Sequence, residues 1–243
     1  MKIVKFTLKG EHAFFKKPDV NSYVYFTYNQ IHKVALLGMF GAILGYQGYE
    51  SQKGKEYPEF YEKLKDLNLA IIPKSKYGIF SKKIQTFNNS VGYASFEQGG
   101  NLIVKEQWIE NPEWEIYFAV CDEVSEQLAE FILKRKCVYM PYLGKNDHPA
   151  QIWNPTCLEG AKKNEEGMTI HSLMLKDKVQ FDPGFDEEEE MEELLFRYEE
   201  ELPIGLKEKV NTYDLKKFIY TNQPIQESIS PIYEVDGKNI ILI

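Results

Sequence analysis

The chain contains few of the residues and motifs that mark common metal and catalytic sites. Its 243 residues include four His and three Cys, and none of these stands in an HxH, HExxH or CxxC spacing, so we expect no metal site and no cofactor. The GxSxG motif, the dinucleotide fingerprint GxGxxG and the P-loop sequence are also absent. The odd number of cysteines favours reduced structural thiols in a cytosolic protein over a disulfide framework.

Long hydrophobic runs are absent as well. The most apolar stretch, residues 34–44, has about a dozen residues, which is too short to cross a bilayer. The N-terminal residues have the pattern of a strand rather than of a signal peptide, so we expect a cytoplasmic protein with no membrane partner. The hydrophobic content of 43% and the aromatic content of 14% are typical of a folded globular protein with many β-strands.

Charge is distributed unevenly along the chain. The formal net charge is −8, but residues 1–90 contain 14 Lys against 7 Asp and Glu, a net charge of +7. Residues 186–201 contain ten acidic residues and one Arg, a net charge of −9. A basic N-terminal surface can therefore exist on an acidic protein, which permits a nucleic-acid partner. We expect the acidic segment to be an exposed helix or a disordered loop rather than a metal site.

The rest of the chain is organised around residues 21–49. In order, this stretch contains a predicted aromatic strand (23–28), a polar turn (His32 and Lys33) and an apolar helix (34–44). Gly38, Gly41 and Gly45 occur in or directly after that helix, although an interior glycine costs ~1 kcal/mol relative to alanine. We therefore expect another backbone or a ligand to approach the helix closely. The helix either packs on a sheet as a core helix or also directs its first N–H groups toward a phosphate.

Periodic patterns predict the other elements. The predicted strands are 2–8, 69–73, 84–88, 101–107, 115–121 and 137–140, and the predicted amphipathic helices are 57–68 and 123–134. Further β-like segments are 168–175, 178–181, 216–221 and 239–243. The composition changes after Pro141, so we predict a first domain at 1–145 and a β-rich C-terminal region at 146–243, which includes the acidic segment 186–201.

Three segments of the chain stand out, namely IVKFTLKGEHAFFKKP, TYNQIHKVALLGMFGAILGYQGY and PYLGKNDHPAQI. Together they resemble the CRISPR-associated Cas-five family of the RAMP superfamily. The glycine-punctuated apolar block that follows a TY strand is the most specific of them, and the chain is most similar to the subtype I-B branch. Members of this family cap the 5′ end of the guide RNA (crRNA) in type I Cascade complexes.

The resemblance implies a fold and a set of partners. The implied fold is α+β, with a ferredoxin-like βαββαβ domain similar to RNA-recognition modules, a projecting β-hairpin and the β-rich C-terminal region. The implied partners are the 5′ handle of the crRNA, the backbone subunit and the large subunit of Cascade, with target DNA nearby in the assembled complex. The expected function is binding of the handle without catalysis.

Residue types and the family pattern together give the candidate RNA-binding residues. Cations suit phosphates and aromatic rings suit unpaired bases. The candidates are Lys9, Lys16, Lys17, Asn21, Tyr28, His32, Lys33, Lys82, Lys83 and Lys145. Each alone is typical of a solvated surface residue, so the prediction concerns the set. Phe14 and Phe15 either stack on bases from an exposed loop or anchor that loop in the core.

Two other functions stay open. Relatives of subtype I-C cut the guide precursor with a Tyr-Lys-His set, and a metal-independent endoribonuclease could use similar residue types here. Those residues are Tyr28, His32, Lys33, Lys145 and His148. However, Lys105, Glu106 and Gln107 occupy the place where the cleaving His is expected, which favours binding over cleavage. A purely protein-bridging subunit, using the acidic segment and the long loops, is the other alternative.

Overall fold

The structure is a computed structural model that describes residues 1–18, 23–163, 167–181 and 194–243. The helices are α1 (Lys33–Leu44), α2 (Glu59–Leu64) and α3 (Glu123–Leu133), with short 3-10 helices at Tyr49–Ser51, Lys76–Gly78, Gly92–Phe96 and Lys176–Lys178. The strands are β1 (Lys2–Lys9), β2 (His12–Ala13), β3 (Leu69–Pro73), β4 (Lys82–Asn88), β5 (Ile103–Glu110), β6 (Glu113–Ala119), β7 (Gln151–Glu159), β8 (Ala161–Lys163), β9 (Met174–Leu175), β10 (Val179–Gln180), β11 (Arg197–Leu206), β12 (Tyr213–Thr221), β13 (Glu227–Ser228), β14 (Ile232–Val235) and β15 (Lys238–Ile241).

The largest sheet has four strands in the order β3-β6-β1-β7, and every neighbouring pair is antiparallel. Helices α1 and α2 lie in the chain between β1 and β3, and α3 lies between β6 and β7. The other described sheets are also built from antiparallel pairs. The predicted α+β class, with mostly antiparallel sheets, is therefore confirmed.

Both faces of this sheet are buried. Val4, Phe6 and Leu8 alternate along β1 and belong to the main core, which also contains the apolar side chains of α1. On the opposite face, Ile3 belongs to a second cluster with Val235 and Ile240 of the β14–β15 hairpin. The β14–β15 hairpin is thus packed on the first sheet, because it supplies the apolar cover that the second face needs.

The strand predicted at residues 137–140 is wrong. The backbone N–H groups of Val138 and Tyr139 donate to the carbonyl oxygens of Ile43 and Ala42 at 2.9 and 3.1 Å. This segment therefore satisfies carbonyls in the last turn of α1 instead of joining a sheet. The strand that follows α3 in the main sheet is β7, which begins beyond residue 145; the predicted division at that residue stays a prediction.

Strands β4 and β5 form the predicted hairpin, and β5 also pairs with β2. A short 3-10 helix at the tip carries Tyr93 and Phe96, whose exposed fractions are 77% and 91%.

The strand predicted at 23–28 is wrong, because this segment makes only isolated bridges, with Tyr25 opposite Glu106 and Thr27 opposite Lys16. The aromatic composition of the segment favours a strand. However, it pairs through one residue with β5 and through one residue with Lys16, which is too little to form a ladder.

Two further predictions need correction. Helix α2 is shorter than predicted, spanning Glu59–Leu64 after an N-cap at Pro58. The described part of the acidic segment is neither helix nor loop from residue 197 onward, because β11 pairs there with β12. Half-buried Tyr198 and Glu200 alternate with exposed neighbours, which is the period of a strand. Asn21 and residues 186–193 of the acidic segment lie outside the described residues.

The glycines of α1 have the close contact that the sequence predicted, but the partner is a helix. A Cβ added at Gly41 would lie 2.4 Å from Cβ of Phe60 in α2, whereas one at Gly38 would lie 3.9 Å from the ring of Phe60. Gly45 ends α1 with a left-handed φ of 81°, a conformation that favours glycine. Close approach of α2 therefore explains Gly41, and Gly38 is left on an open face.

Candidate nucleic-acid interface

A cavity of about 740 Å³ opens beside α1, and we call it the α1 cavity. One face of the helix forms its floor through Ala35, Gly38, Met39 and Ala42, whose spacing places them on neighbouring turns. Aromatic side chains from separate segments form its walls: Phe14, Phe15, Tyr46, Tyr49, Phe60, Tyr139, Tyr142 and Tyr213. Concave, aromatic-lined sites of this size suit a planar ligand.

His32 lies at the start of α1 and lines this cavity. The residue is buried, and its Nδ1 accepts a hydrogen bond from the backbone N–H of Ala35 at 3.2 Å, so the imidazole caps the helix. The rings of Phe15, Tyr28 and Tyr213 surround it at centroid distances of 5.4 to 5.9 Å. Burial lowers the pKa of His32 to about 3. The ring is therefore neutral near pH 7, and Nδ1 is an acceptor rather than a phosphate donor.

Two of the predicted lysines do not line the α1 cavity. Lys33 is buried, and its Nζ donates to the carbonyl oxygen of Ile243 at 3.2 Å. Burial lowers the pKa of Lys33 against an opposing effect of Asp66. Lys9 lies at the end of β1, where its Nζ is 4.5 Å from the ring centroid of Trp153. Neither side chain is among those that line the α1 cavity around His32.

Two predicted lysines, Lys16 and Lys145, do line the α1 cavity. The Nζ atom of exposed Lys16 lies 3.8 Å from the ring centroid of Tyr25. The Nζ atom of Lys145 donates to Oε2 of Glu106 at 2.7 Å and lies 4.7 Å from the ring centroid of Phe87. Phe14 and Phe15 are buried, so they anchor their loop while their edges line the same cavity.

Three other predicted residues meet at a second cavity of about 580 Å³, which we call the Glu200 pocket. Lys17 Nζ lies 3.1 Å from Glu200 Oε1 and 5.0 Å from the ring centroid of Tyr28, and Lys82 lines the same pocket. Glu200 also accepts hydrogen bonds from the backbone N–H of Asn29. Three glutamates, Glu199 to Glu201, line this pocket beside the two lysines, whereas Glu106 is the one acidic residue among the described residues that line the α1 cavity with Lys16 and Lys145. The Glu200 pocket therefore suits a phosphate less well than the α1 cavity does.

The remaining predicted residues lie on the hairpin or outside the description. Lys83 of β4 lies 4.0 Å from Glu110 of β5 and 5.8 Å from the ring centroid of Trp108. Trp108 in turn stacks edge-on against His148 at 4.4 Å. His148 is 2% exposed, and neither of its ring nitrogens has a hydrogen-bond partner among the described residues. Asn21 lies outside the described residues.

Sequence reasoning missed most of the aromatic walls of the α1 cavity, including Tyr213, and it missed Glu106. Tyr213 comes from β12, far along the chain, and its ring lies 5.4 Å from that of His32. No local pattern could have linked them. In the sequence, Glu106 is notable only because it stands where a cleaving His is expected. In the structure it is a buried acidic residue that lines the cavity. Within the described ranges, no group of three or more His, Cys, Asp and Glu side chains is arranged to hold a metal ion.

Comparison with known proteins gives a match of fold. No protein-family model and no curated protein sequence matches the chain. A solved CRISPR protein from Archaeoglobus fulgidus aligns over 100% of this chain and 99% of its own, with a TM-score of 0.51 and 11% identity. The fold is similar to that of a CRISPR protein. The prediction of a CRISPR-associated fold is confirmed at this level, and the Cas-five and subtype I-B assignments stay predictions.

Other solved structures with CRISPR names align at lower scores. A chain of a CRISPR RNA-guided surveillance complex has 14% identity and a TM-score of 0.47, over 93% of this chain and 91% of that one. A chain of the type III-B Cmr-beta complex bound to cognate target RNA has 10% identity and a TM-score of 0.49, over 93% and 86%. None of the described helices is long and apolar enough to span a membrane.

Proposed function

We propose that the chain is a non-catalytic RNA-binding subunit of a type I CRISPR effector complex, and that it holds the 5′ handle of the crRNA in the α1 cavity. One arrangement carries the proposal: Lys16, Lys145 and a set of aromatic rings line one cavity beside α1. Ammonium groups suit phosphate oxygens, and aromatic faces stack on unpaired bases. The resemblance of the sequence to the Cas-five family and the similarity of fold to a CRISPR protein support it.

The proposal extends to the architecture and to the protein partners. The strand order β3-β6-β1-β7, with helical crossovers after β1 and β6, suits a ferredoxin-like βαββαβ core. The β4–β5 hairpin would then be the projecting hairpin of the family. Its exposed Tyr93 and Phe96 suit a contact with the backbone or large subunit, because exposed aromatic side chains often mark protein interfaces.

The state of the histidines supports binding without cleavage. Metal-independent RNA cleavage uses general acid–base groups whose pKa values lie near the working pH. Burial lowers the pKa of His32 to about 3 and also lowers the pKa of His148. In addition, Nδ1 of His32 is occupied by the backbone N–H of Ala35. Neither ring is therefore well suited to deliver a proton at neutral pH.

The experiment mixes the protein with a labelled repeat RNA in EDTA at low and high salt, on native and denaturing gels. We expect intact RNA and binding that weakens steeply with salt, because phosphate contacts release counterions. The double variant Lys16→Ala/Lys145→Ala should bind about tenfold more weakly at low salt. The matched control Lys134→Ala/Lys136→Ala removes the same charge from exposed residues at the end of α3 and should change affinity less than about twofold.

Three results would overturn the proposal in different ways. A discrete cut in the RNA without metal would indicate the endoribonuclease alternative. Intact RNA with no shift at either salt concentration would favour the protein-bridging alternative. Equal weakening by both double variants would show that binding is diffuse and does not use the α1 cavity.

A further inference from the structure

Glu106 is an anionic group inside a cavity that we propose binds an anionic polymer. It is 7% exposed and lines the α1 cavity from β5. Trp108 Nε1 and Lys145 Nζ both donate to its Oε2 atom, each at 2.7 Å. Among the described residues, no hydrogen bond to Oε1 accompanies these two. A carboxylate oxygen repels phosphate and accepts only from N–H or O–H groups, so Oε1 is suited to a donor on the ligand.

We propose that Glu106 reads the edge of an unstacked RNA base in the α1 cavity and selects bases that carry an exocyclic amino group over uracil. This inference rests on the proposed function. Adenine, cytosine and guanine each present an amino donor to Oε1, with an acceptor beside it for the ammonium group of Lys145. Uracil presents one ring N–H between two carbonyl oxygens, and these oxygens repel a carboxylate.

The pair of Glu106 and Lys145 is held in place before any ligand binds. Lys145 Nζ lies 4.7 Å from the ring centroid of Phe87 and 5.3 Å from that of Trp108. Trp108 both donates to Glu106 and packs edge-on against buried His148. Cation–π contacts and the hydrogen bond from the half-buried indole of Trp108 restrict both side chains. Little ordering cost therefore falls on the binding step. Base recognition requires a hydrogen-bond donor and an acceptor that are fixed in advance, and the ammonium group of Lys145 and the carboxylate of Glu106 meet this requirement better than a flexible surface pair would.

The test measures binding of fluorescein-labelled oligonucleotides rA8, rC8 and rU8 by anisotropy at low salt. The decisive ratio is that of the rC8 and rU8 affinities, because both bases are single rings of the same size whereas adenine has a larger ring that stacks more strongly. We expect the wild-type protein to bind rC8 about tenfold more tightly than rU8, as one base-edge contact per site would give. Glu106→Gln should reduce the ratio to within about twofold, because an amide also donates to uracil.

The matched control is Glu110→Gln, which removes the same charge from the same strand. Its carboxylate pairs with Lys83 at 4.0 Å and does not line the α1 cavity. We expect this variant to bind all three oligonucleotides more tightly and to keep the wild-type ratio of rC8 to rU8. A general charge effect would instead move both variants alike. Circular dichroism of each variant checks the fold, and the wild-type ratio tests the inference even if Glu106→Gln does not fold.

Three outcomes would overturn the inference. Equal binding of rC8 and rU8 by the wild-type protein removes the selectivity itself, and an unchanged ratio in Glu106→Gln removes Glu106 as its source. Both results leave RNA binding, and so the proposed function, intact. Absence of salt-sensitive binding to all three oligonucleotides overturns the proposed function and this inference with it.

Discussion

At the scale of single residues, His32 couples stability to pH. Its neutral ring caps α1 while buried among three aromatic rings. The pKa is about 3 in the folded protein against 6.5 for the free side chain. Between these values the unfolded chain binds the extra proton, so the stability from His32 is fully present above about pH 6.5 and is lost as pH falls toward 3. We expect the wild-type free energy of unfolding to fall by about 2 kcal/mol more than that of His32→Asn between pH 7 and pH 5.

Urea denaturation of both proteins at the two pH values measures this difference. Asparagine is a good helix N-cap and does not titrate, so the variant keeps a cap and loses the proton linkage. The other histidines are common to both proteins and cancel in the comparison. Parallel pH dependence of the two proteins would show that His32 is not buried and neutral as described.

Single residues were the hardest part of the site to predict. Lys16, Lys145 and His32 do line one cavity, because the loop before α1 and the loop before β7 both contribute to its lining. Lys33 is adjacent to His32 in sequence, but its side chain leaves the helix in another direction and reaches Ile243. Adjacent residues of a helix face different sides. Their adjacency in the sequence therefore could not show that His32 caps the helix while the ammonium group of Lys33 donates elsewhere. Glu106 carried no local signal because its role depends on Trp108 and Lys145.

At the scale of elements, the contact between α1 and α2 makes two glycines of one helix behave in opposite ways. A Cβ at Gly41 would meet Cβ of Phe60 at 2.4 Å, while one at Gly38 would reach only ordinary contact at 3.9 Å. Alanine gains ~1 kcal/mol over glycine within a helix, but overpacking a tight contact costs about 1–3 kcal/mol. We expect Gly38→Ala to raise the free energy of unfolding by up to about 1 kcal/mol and Gly41→Ala to lower it.

Chemical denaturation of the two variants checks this prediction, and each is the other's control because the substitution and the helix are the same. A stabilised Gly41→Ala variant would mean that α2 does not lie against α1 at this point. A destabilised Gly38→Ala variant would mean that Gly38 has a close partner and does not face an open cavity.

Elements were predictable where a periodic pattern and burial agree. The alternation in β1, the buried run of β3 and the amphipathic pattern of α3 each match an observed element. The pattern failed where the backbone finds partners outside a sheet. The segments 23–28 and 137–140 are rich in strand-forming residues, but the first pairs one residue at a time and the second binds the last turn of α1. The tertiary structure decides which backbone partners these two segments find, and the β-strand propensity of their residues carries no information about it.

At the scale of the whole molecule, the β14–β15 hairpin covers one face of the main sheet and is joined to it by a partly buried ionic contact. Glu115 of β6 is buried, and it accepts hydrogen bonds from Lys238 of β15 and from the hydroxyl of Tyr117 at 3.0 Å. Burial alone would raise the pKa of Glu115, but Lys238 and Tyr117 hold it below its usual value. The carboxylate is therefore charged in the folded protein and depends on its partners across the two regions.

Replacing Lys238 should weaken the docking of the β14–β15 hairpin. We expect Lys238→Met to lower the free energy of unfolding by about 1–3 kcal/mol, because it leaves a buried carboxylate short of a donor. The control Lys134→Met breaks an exposed pair with Glu130 on α3 and should cost less than about 0.5 kcal/mol. Urea denaturation gives both values, and hydrogen exchange should quicken first in β14 and β15. If Lys238→Met costs no more than its control, apolar burial around Ile3 and Val235 alone holds the β14–β15 hairpin on the sheet.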